Sequence, residues 1–178
     1  GIRLIGPNTS GMFNLAIGAN LVGLPDVPRG PISVLTQSGN MLLSLVADNR
    51  ATAGPGFDIY VGLGNQADVG YDDCLTFLAG RESTGAVAVH CEGFRDGRAF
   101  LTAAAAATPL RPVVLLSGGK SDVGRRSALS HTGAVAASAD VTSAVLRQAG
   151  VEVITRSDEL AVVAGVLATS QVPPAGKA

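Results

Sequence analysis

The sequence predicts an α/β domain, a flavodoxin-like, doubly wound, five-stranded parallel sheet. Three observations predict it. Short apolar runs bounded by Gly, Pro or Asp recur along the 178 residues. Most runs are followed by a helix-like stretch, the alternation that builds a parallel sheet with helices on both faces. The runs are almost continuously hydrophobic, as strands buried on two sides are.

The first strand is read over Pro31 to Thr36, with a helix over Asn40 to Ala51. Phe57 to Val61 and Tyr71 to Leu78 form the second pair, and Ala86 to His90 the third strand. Its helix runs from about Gly97 through an alanine run ending before Pro109. Pro112 to Leu116 is the fourth strand, with Asp140 to Gln148 in the helix after it. Val151 to Ile154 and a helix over Asp158 to Ala168 close the series. Right-handed crossovers leave few topologies, and the strand order 2-1-3-4-5 is the expected one. Residues 1–28 fall outside the repeat. Gly1 to Gly6 reads as one strand ending in a Gly-Pro-Asn turn, and 12–28 as a connector punctuated by Pro25 and Pro28, the whole packing as an extended arm. The tail after Thr169, with Pro173, Pro174 and Gly176, reads as a linker, so a fragment or one subunit of a multi-domain protein is expected.

Composition narrows the function. Apolar residues make up 47%, charged residues 15%, and the net charge is −1, which excludes a disordered tail and a strongly basic nucleic-acid binder. Aromatics at 4% with no Trp argue against base-stacking platforms. Two cysteines, Cys74 and Cys91, make no disulfide scaffold and no metal-ligand spacing, so no metal site is expected. No apolar run approaches the roughly 20 residues that cross a bilayer, and no signal-peptide pattern opens the chain. A cytoplasmic protein acting on small molecules, with neither nucleic acid nor membrane as partner, is the expectation.

In doubly wound sheets ligands sit beyond the carboxyl ends of the strands. Three loops there hold candidate chemistry. Thr36-Gln37-Ser38-Gly39-Asn40 opens straight into a helix. Gly39 admits close backbone approach, Ser38 can cap, and the free N–H groups of the helix start suit an anion; a plain capped βα turn reads equally well. His90-Cys91-Glu92-Gly93 ends the third strand, where Glu92 is either solvated or employed and His90 is a core or edge residue. Asp72 and Asp73 read as a cap and a first-turn acid favoured by the helix dipole. The long polar stretch from Ser117 to Ala134 places His131 between two hydroxyl residues and before Gly133. A neutral imidazole nitrogen accepts a phosphoryl group near neutral pH, and Glu92 is the carboxylate nearest by strand order to fix its tautomer. Taken alone, His131 also fits an exposed or capping loop histidine.

Four segments resemble the nucleoside-diphosphate-forming acyl-CoA synthetases, the superfamily of succinyl-CoA synthetase and ADP-forming acetyl-CoA synthetase. Leu4 to Gly11 looks like the end of that family's CoA-binding domain. Leu35 to Asn40 is similar to its phosphate-binding loop, Gly64 to Val69 to its GN-x-AD stretch, and Ser130 to Ala134 to its phosphohistidine segment. The resemblance implies residues 1–28 as the end of a CoA-binding domain with a linker arm, 29–170 as the CoA-ligase domain, and 171–178 as a linker. It implies His131 as the phosphorylated histidine and Glu92 as the carboxylate that orients it. Ser38, Gly39 and Asn40 would hold the phosphate, with Gly133 and Ala134 as a second set of donors, and Pro7 and Asn8 would lie near the CoA or acyl group. One departure is Ser117, where members often have Lys; the first lysine here is Lys120. The implied reaction interconverts acyl-CoA, phosphate and ADP with a carboxylic acid, CoA and ATP. ATP or ADP and Mg²⁺ would be bound mainly by an ATP-grasp domain outside this chain, in an oligomer of such parts. The implied alternative is a non-catalytic ligase-like domain regulating a lysine acetyltransferase. A flavodoxin is disfavoured by the scarcity of aromatics for stacking on a flavin, and a receiver domain by the absence of an acidic pair after strand one.

Overall fold

The computed structural model describes residues 1–117 and 139–170. Seven strands form one sheet: β1 (Met12–Asn14), β2 (Ala19–Asn20), β3 (Arg29–Thr36), β4 (Phe57–Gly62), β5 (Ala86–Cys91), β6 (Val113–Ser117) and β7 (Glu152–Ile154). The spatial order is β2-β1-β4-β3-β5-β6-β7. The last five are parallel, and numbered among themselves they run 2-1-3-4-5, as the sequence predicts. The helices between them are α1 (Gly39–Ala51), α2 (Tyr71–Ala79), α3 (Gly97–Ala107), α4 (Ala139–Gln148) and α5 (Glu159–Thr169).

The sheet alternates side chains between two cores. Leu35, Val87, Val89 and Leu115 face α2 and α3, where Leu75, Leu78, Phe100 and Ala104 meet them. Val34, Ala88, Val114 and Ile154 face the other way, onto Leu42 and Leu45 of α1 and Leu160 and Ala164 of α5. This is the physical meaning of apolar runs without alternation: every second residue serves a different core.

The arm departs from expectation in two ways. Gly1 to Gly6 is not a regular strand; it is extended and takes hydrogen bonds from the loop after β4, Val69 N to Leu4 O at 3.1 Å and Ala67 N to Gly6 O at 2.9 Å. The connector holds β1 and β2, which add to the β4 edge in antiparallel fashion. The sheet is thus seven-stranded rather than all-parallel. The reason is the exposed edge: β4 would otherwise present unpaired N–H and C=O groups to water, and a short antiparallel arm covers them. Phe13 seals the junction, fully buried against the Tyr60 ring at 5.4 Å between centroids. As expected, the arm makes no second core.

Candidate active site

The loops after β3 and β5 and the arm residues 8–10 enclose a cavity of about 410 Å³ lined by Asn8, Ser38, Gly39, Asn40, Gly64 and Glu92, among others. Five of the sequence-predicted site residues therefore meet in one place. Pro7 does not line it. Its carbonyl instead accepts the Asn65 N–H at 2.9 Å, which sets the position of Asn8. His131, Gly133 and Ala134 lie outside the described residues, as does Lys120.

The floor of the cavity is the start of α1. Ser38 is its N-cap, in extended backbone, and makes no capping hydrogen bond with its side chain; no acidic residue occupies the first turn. A helix start leaves its first N–H groups without intrahelical partners and concentrates about half a positive charge there. At α1 no acid of the helix's own first turn offsets it. Gly39 is required by contact: a Cβ there would stand 2.8 Å from the Ser10 Cβ. Gly64 is required by both contact and conformation, with φ +54° and a would-be Cβ 2.3 Å from the Pro7 carbonyl oxygen. Arm and loops thus interlock without side-chain bulk.

A relay of hydroxyls fixes the turn before α1. Thr36 Oγ1 donates to the Ser38 carbonyl at 2.8 Å. Its single proton is spent there, so the Tyr60 hydroxyl, 3.3 Å away, donates to Thr36, and Ser10 Oγ, 2.5 Å from Tyr60, donates in turn. Thr9 Oγ1 donates to the Gly62 carbonyl. Tyr60 is fully buried, so this order is sheltered from water. Across the cavity, Gln37 Oε1 accepts two successive backbone N–H groups, Glu92 at 2.6 Å and Gly93 at 3.1 Å. Glu92 itself is half-buried.

The remaining sequence candidates are structural. His90 pairs in register with Thr36 and is 7% exposed; burial pushes its pKa down to about 4, so it is a neutral interior residue. Asp73 sits at the third position of α2 and accepts the Gly70 N–H at 3.0 Å, which together with Arg3 holds its carboxyl below the usual range. Cys74 and Cys91 are free and buried, each thiol raised to about 12 by burial. Among the described residues, no cluster of three metal-ligating side chains occurs and no helix is long and apolar enough to cross a membrane. Gln37 and Tyr60 were the residues sequence reasoning left without a role. Gln37 stood inside a motif, but only the fold shows which N–H groups it meets. Tyr60 read as one more apolar strand residue.

Five parallel strands in this order, with a cavity at the carboxyl ends of β3 and β5, define a flavodoxin-like α/β domain. The chain belongs to the family described as the succinyl-CoA ligase like flavodoxin domain, which matches residues 29–167. It is 34% identical over 160 residues to the alpha subunit of an ADP-forming acetate–CoA ligase II of Pyrococcus furiosus, covering 90% of this chain and 35% of that one. It is 37% identical over 161 residues to the ADP-forming acetate–CoA ligase I of Archaeoglobus fulgidus, covering 90% and 23% respectively. Among solved structures, the dinucleotide forming acetyl-coenzyme A synthetase 1 of Ca. Korarchaeum cryptofilum in complex with phosphate and ADP matches with a TM-score of 0.88 at 27% identity, covering 97% of this chain and 38% of that one. The chain therefore spans little more than a third, or less, of the length of these relatives.

Proposed function

We propose that the chain is the phosphohistidine-bearing ligase domain of an ADP-forming acyl-CoA synthetase, with residues 29–170 as that domain, 1–28 as the end of a CoA-binding domain with its linker arm and 171–178 as a linker. The observation that carries this reading is that the uncapped start of α1 and Glu92 line one cavity. Such a start favours an anion through its N–H groups and dipole. The relatives are ADP-forming acetate–CoA ligases, and one similar structure was solved with phosphate and ADP.

In this reading inorganic phosphate rests on the N–H groups at Gly39 and Asn40, beside the Ser38 hydroxyl. It attacks the thioester carbonyl of an acyl-CoA, the C–S bond breaks, and CoA leaves as the thiolate with an acyl phosphate left behind. A ring nitrogen of His131 then attacks phosphorus, the carboxylate leaves, and the other nitrogen's proton is held by Glu92. Gly133 and Ala134 add backbone donors to the phosphoryl oxygens. The α1 start serves each step in one way, by stabilising charge on oxygens that stay bound to phosphorus. Transfer to ADP, with Mg²⁺, belongs to the ATP-grasp part of the assembly, and Pro7 and Asn8 lie on the side from which CoA and the acyl group would approach. The chain alone is then incomplete, and its oligomeric partners and a cytoplasmic setting are part of the proposal.

The test uses the chain together with its CoA-binding and ATP-grasp parts, incubated with labelled ATP and Mg²⁺. An acid-labile, base-stable label on His131 is expected, with turnover lost in His131→Asn and reduced about 10²–10⁴-fold in Glu92→Ala. An acid-stable label on Ser130 or Thr132, or an active His131→Asn, contradicts the proposal. No label at all favours the regulatory, non-catalytic role.

A further inference from the structure

Gln37 joins the two halves of the cavity. Its Oε1 receives the N–H groups of Glu92 and Gly93 at 2.6 and 3.1 Å. Only the carbonyl end of an amide accepts, so two backbone donors on one atom fix which end is oxygen and leave the Nε2 amide NH₂ without a hydrogen bond among the described residues. That NH₂ group belongs to a side chain lining the cavity, one residue before Ser38 and hydrogen-bonded to the Glu92 backbone. The pair of adjacent peptide N–H groups after β5 would itself form an anion-binding concavity, and Gln37 fills it. We propose that Gln37 has two separable roles in this site. Its Oε1 clamps the Glu92–Gly93 backbone, positioning the Glu92 carboxylate over the α1 start. Its Nε2 group is a hydrogen-bond donor to the oxygens of the phosphate or phosphoryl group bound there. The inference rests on the phosphate reading of the cavity and goes beyond it by adding a neutral side-chain donor and a positioning contact. A neutral donor at this point suits a group that arrives as an ion and must leave again, because it adds a directed bond without a further fixed charge.

The experiment follows inorganic phosphate added to the chain, observed by amide NMR. In the wild type the Gln37 side-chain NH₂ signals move downfield and exchange more slowly with water as the α1 amides respond. In Gln37→Met, of similar size with neither donor nor acceptor, phosphate affinity falls about tenfold and the Glu92 and Gly93 amides lose protection from exchange. In Gln37→Glu, which keeps an acceptor for both N–H groups, that protection persists while phosphate affinity falls at least tenfold. A phosphate response at α1 with the Gln37 NH₂ unmoved overturns the donor role and leaves the phosphate site standing. Unchanged protection of Glu92 and Gly93 in Gln37→Met overturns the clamp. No response at α1 in the wild type overturns the phosphate site and this inference with it.

Discussion

The starts of α1 and α3 solve the same problem in opposite ways. At α3, Asp96 accepts the N–H groups of Arg98 at 3.0 Å and Ala99 at 2.9 Å, so the helix supplies its own anion. At α1, Ser38 occupies the same position and its side chain makes no such bond, while the first turn holds no acid and opens on the cavity. Both helices follow parallel strands at the same end of the sheet. The difference teaches where stability has been secured locally and where donors remain available to a ligand. An N-cap is ordinarily worth about 1 kcal/mol, and α1 does without it.

Converting α1 into an α3-like start should produce the largest effect. Ser38→Asp places a carboxylate where phosphate is proposed to sit. At roughly 4 Å and an intermediate dielectric, like charges repel by about 4 kcal/mol, so phosphate affinity should fall on the order of a thousandfold at low salt. The same substitution should raise the denaturation midpoint slightly, because the helix gains a cap. Isothermal titration and urea unfolding on one preparation read both signs; unchanged affinity with a gained cap would break the contrast.

The comparison holds only while the sheet beside α1 stays folded, which sets a limit in pH. His90, in register with Thr36, has a folded pKa of about 4 against an ordinary value of 6.5, through burial. The unfolded chain therefore binds this proton first. Stability from keeping His90 neutral is complete above about pH 6.5 and is lost as pH falls toward 4, an effect on the order of 3 kcal/mol. Unfolding free energies at pH 7.5 and 4.5 should differ less in His90→Leu than in the wild type. An identical difference in both would move the acid sensitivity to other groups.

The smallest effect lies at the other helix. Asp96→Ala should cost about 1 kcal/mol and leave phosphate affinity unchanged, since α3 is proposed to hold no ligand. A loss of phosphate binding in this variant would mean that the two starts are not functionally distinct.

These contrasts were only partly legible in the sequence. Apolar runs such as Ala86 to His90 specify a doubly buried strand by composition alone, and the β3–α1 loop is recognisable by its Ser-Gly pair. The parallel order followed from connection rules. β1 and β2 were not legible, because three and two residues have no periodicity and exist as strands only through the β4 edge they cover. The α3 cap was equally hidden: an Asp before a helix reads the same whether or not its carboxylate turns inward onto Arg98 and Ala99. Ser38 and Glu92 were legible by residue type and loop position, and the expected strand order, which makes β3 and β5 neighbours, puts both on one rim; the cavity they share is seen only in the fold. The Gln37 clamp needs the orientation of two peptide groups after β5, which no spacing encodes.

The most direct measurement of the central claim is a phosphate titration of the wild-type chain followed at every backbone amide. Saturable shifts are expected at Gly39, Asn40 and Met41, with Glu92 and Gly93 also responding and Arg98 and Ala99 silent. Shifts that gather at the α3 start, or that spread over surface amides without saturating, would contradict it.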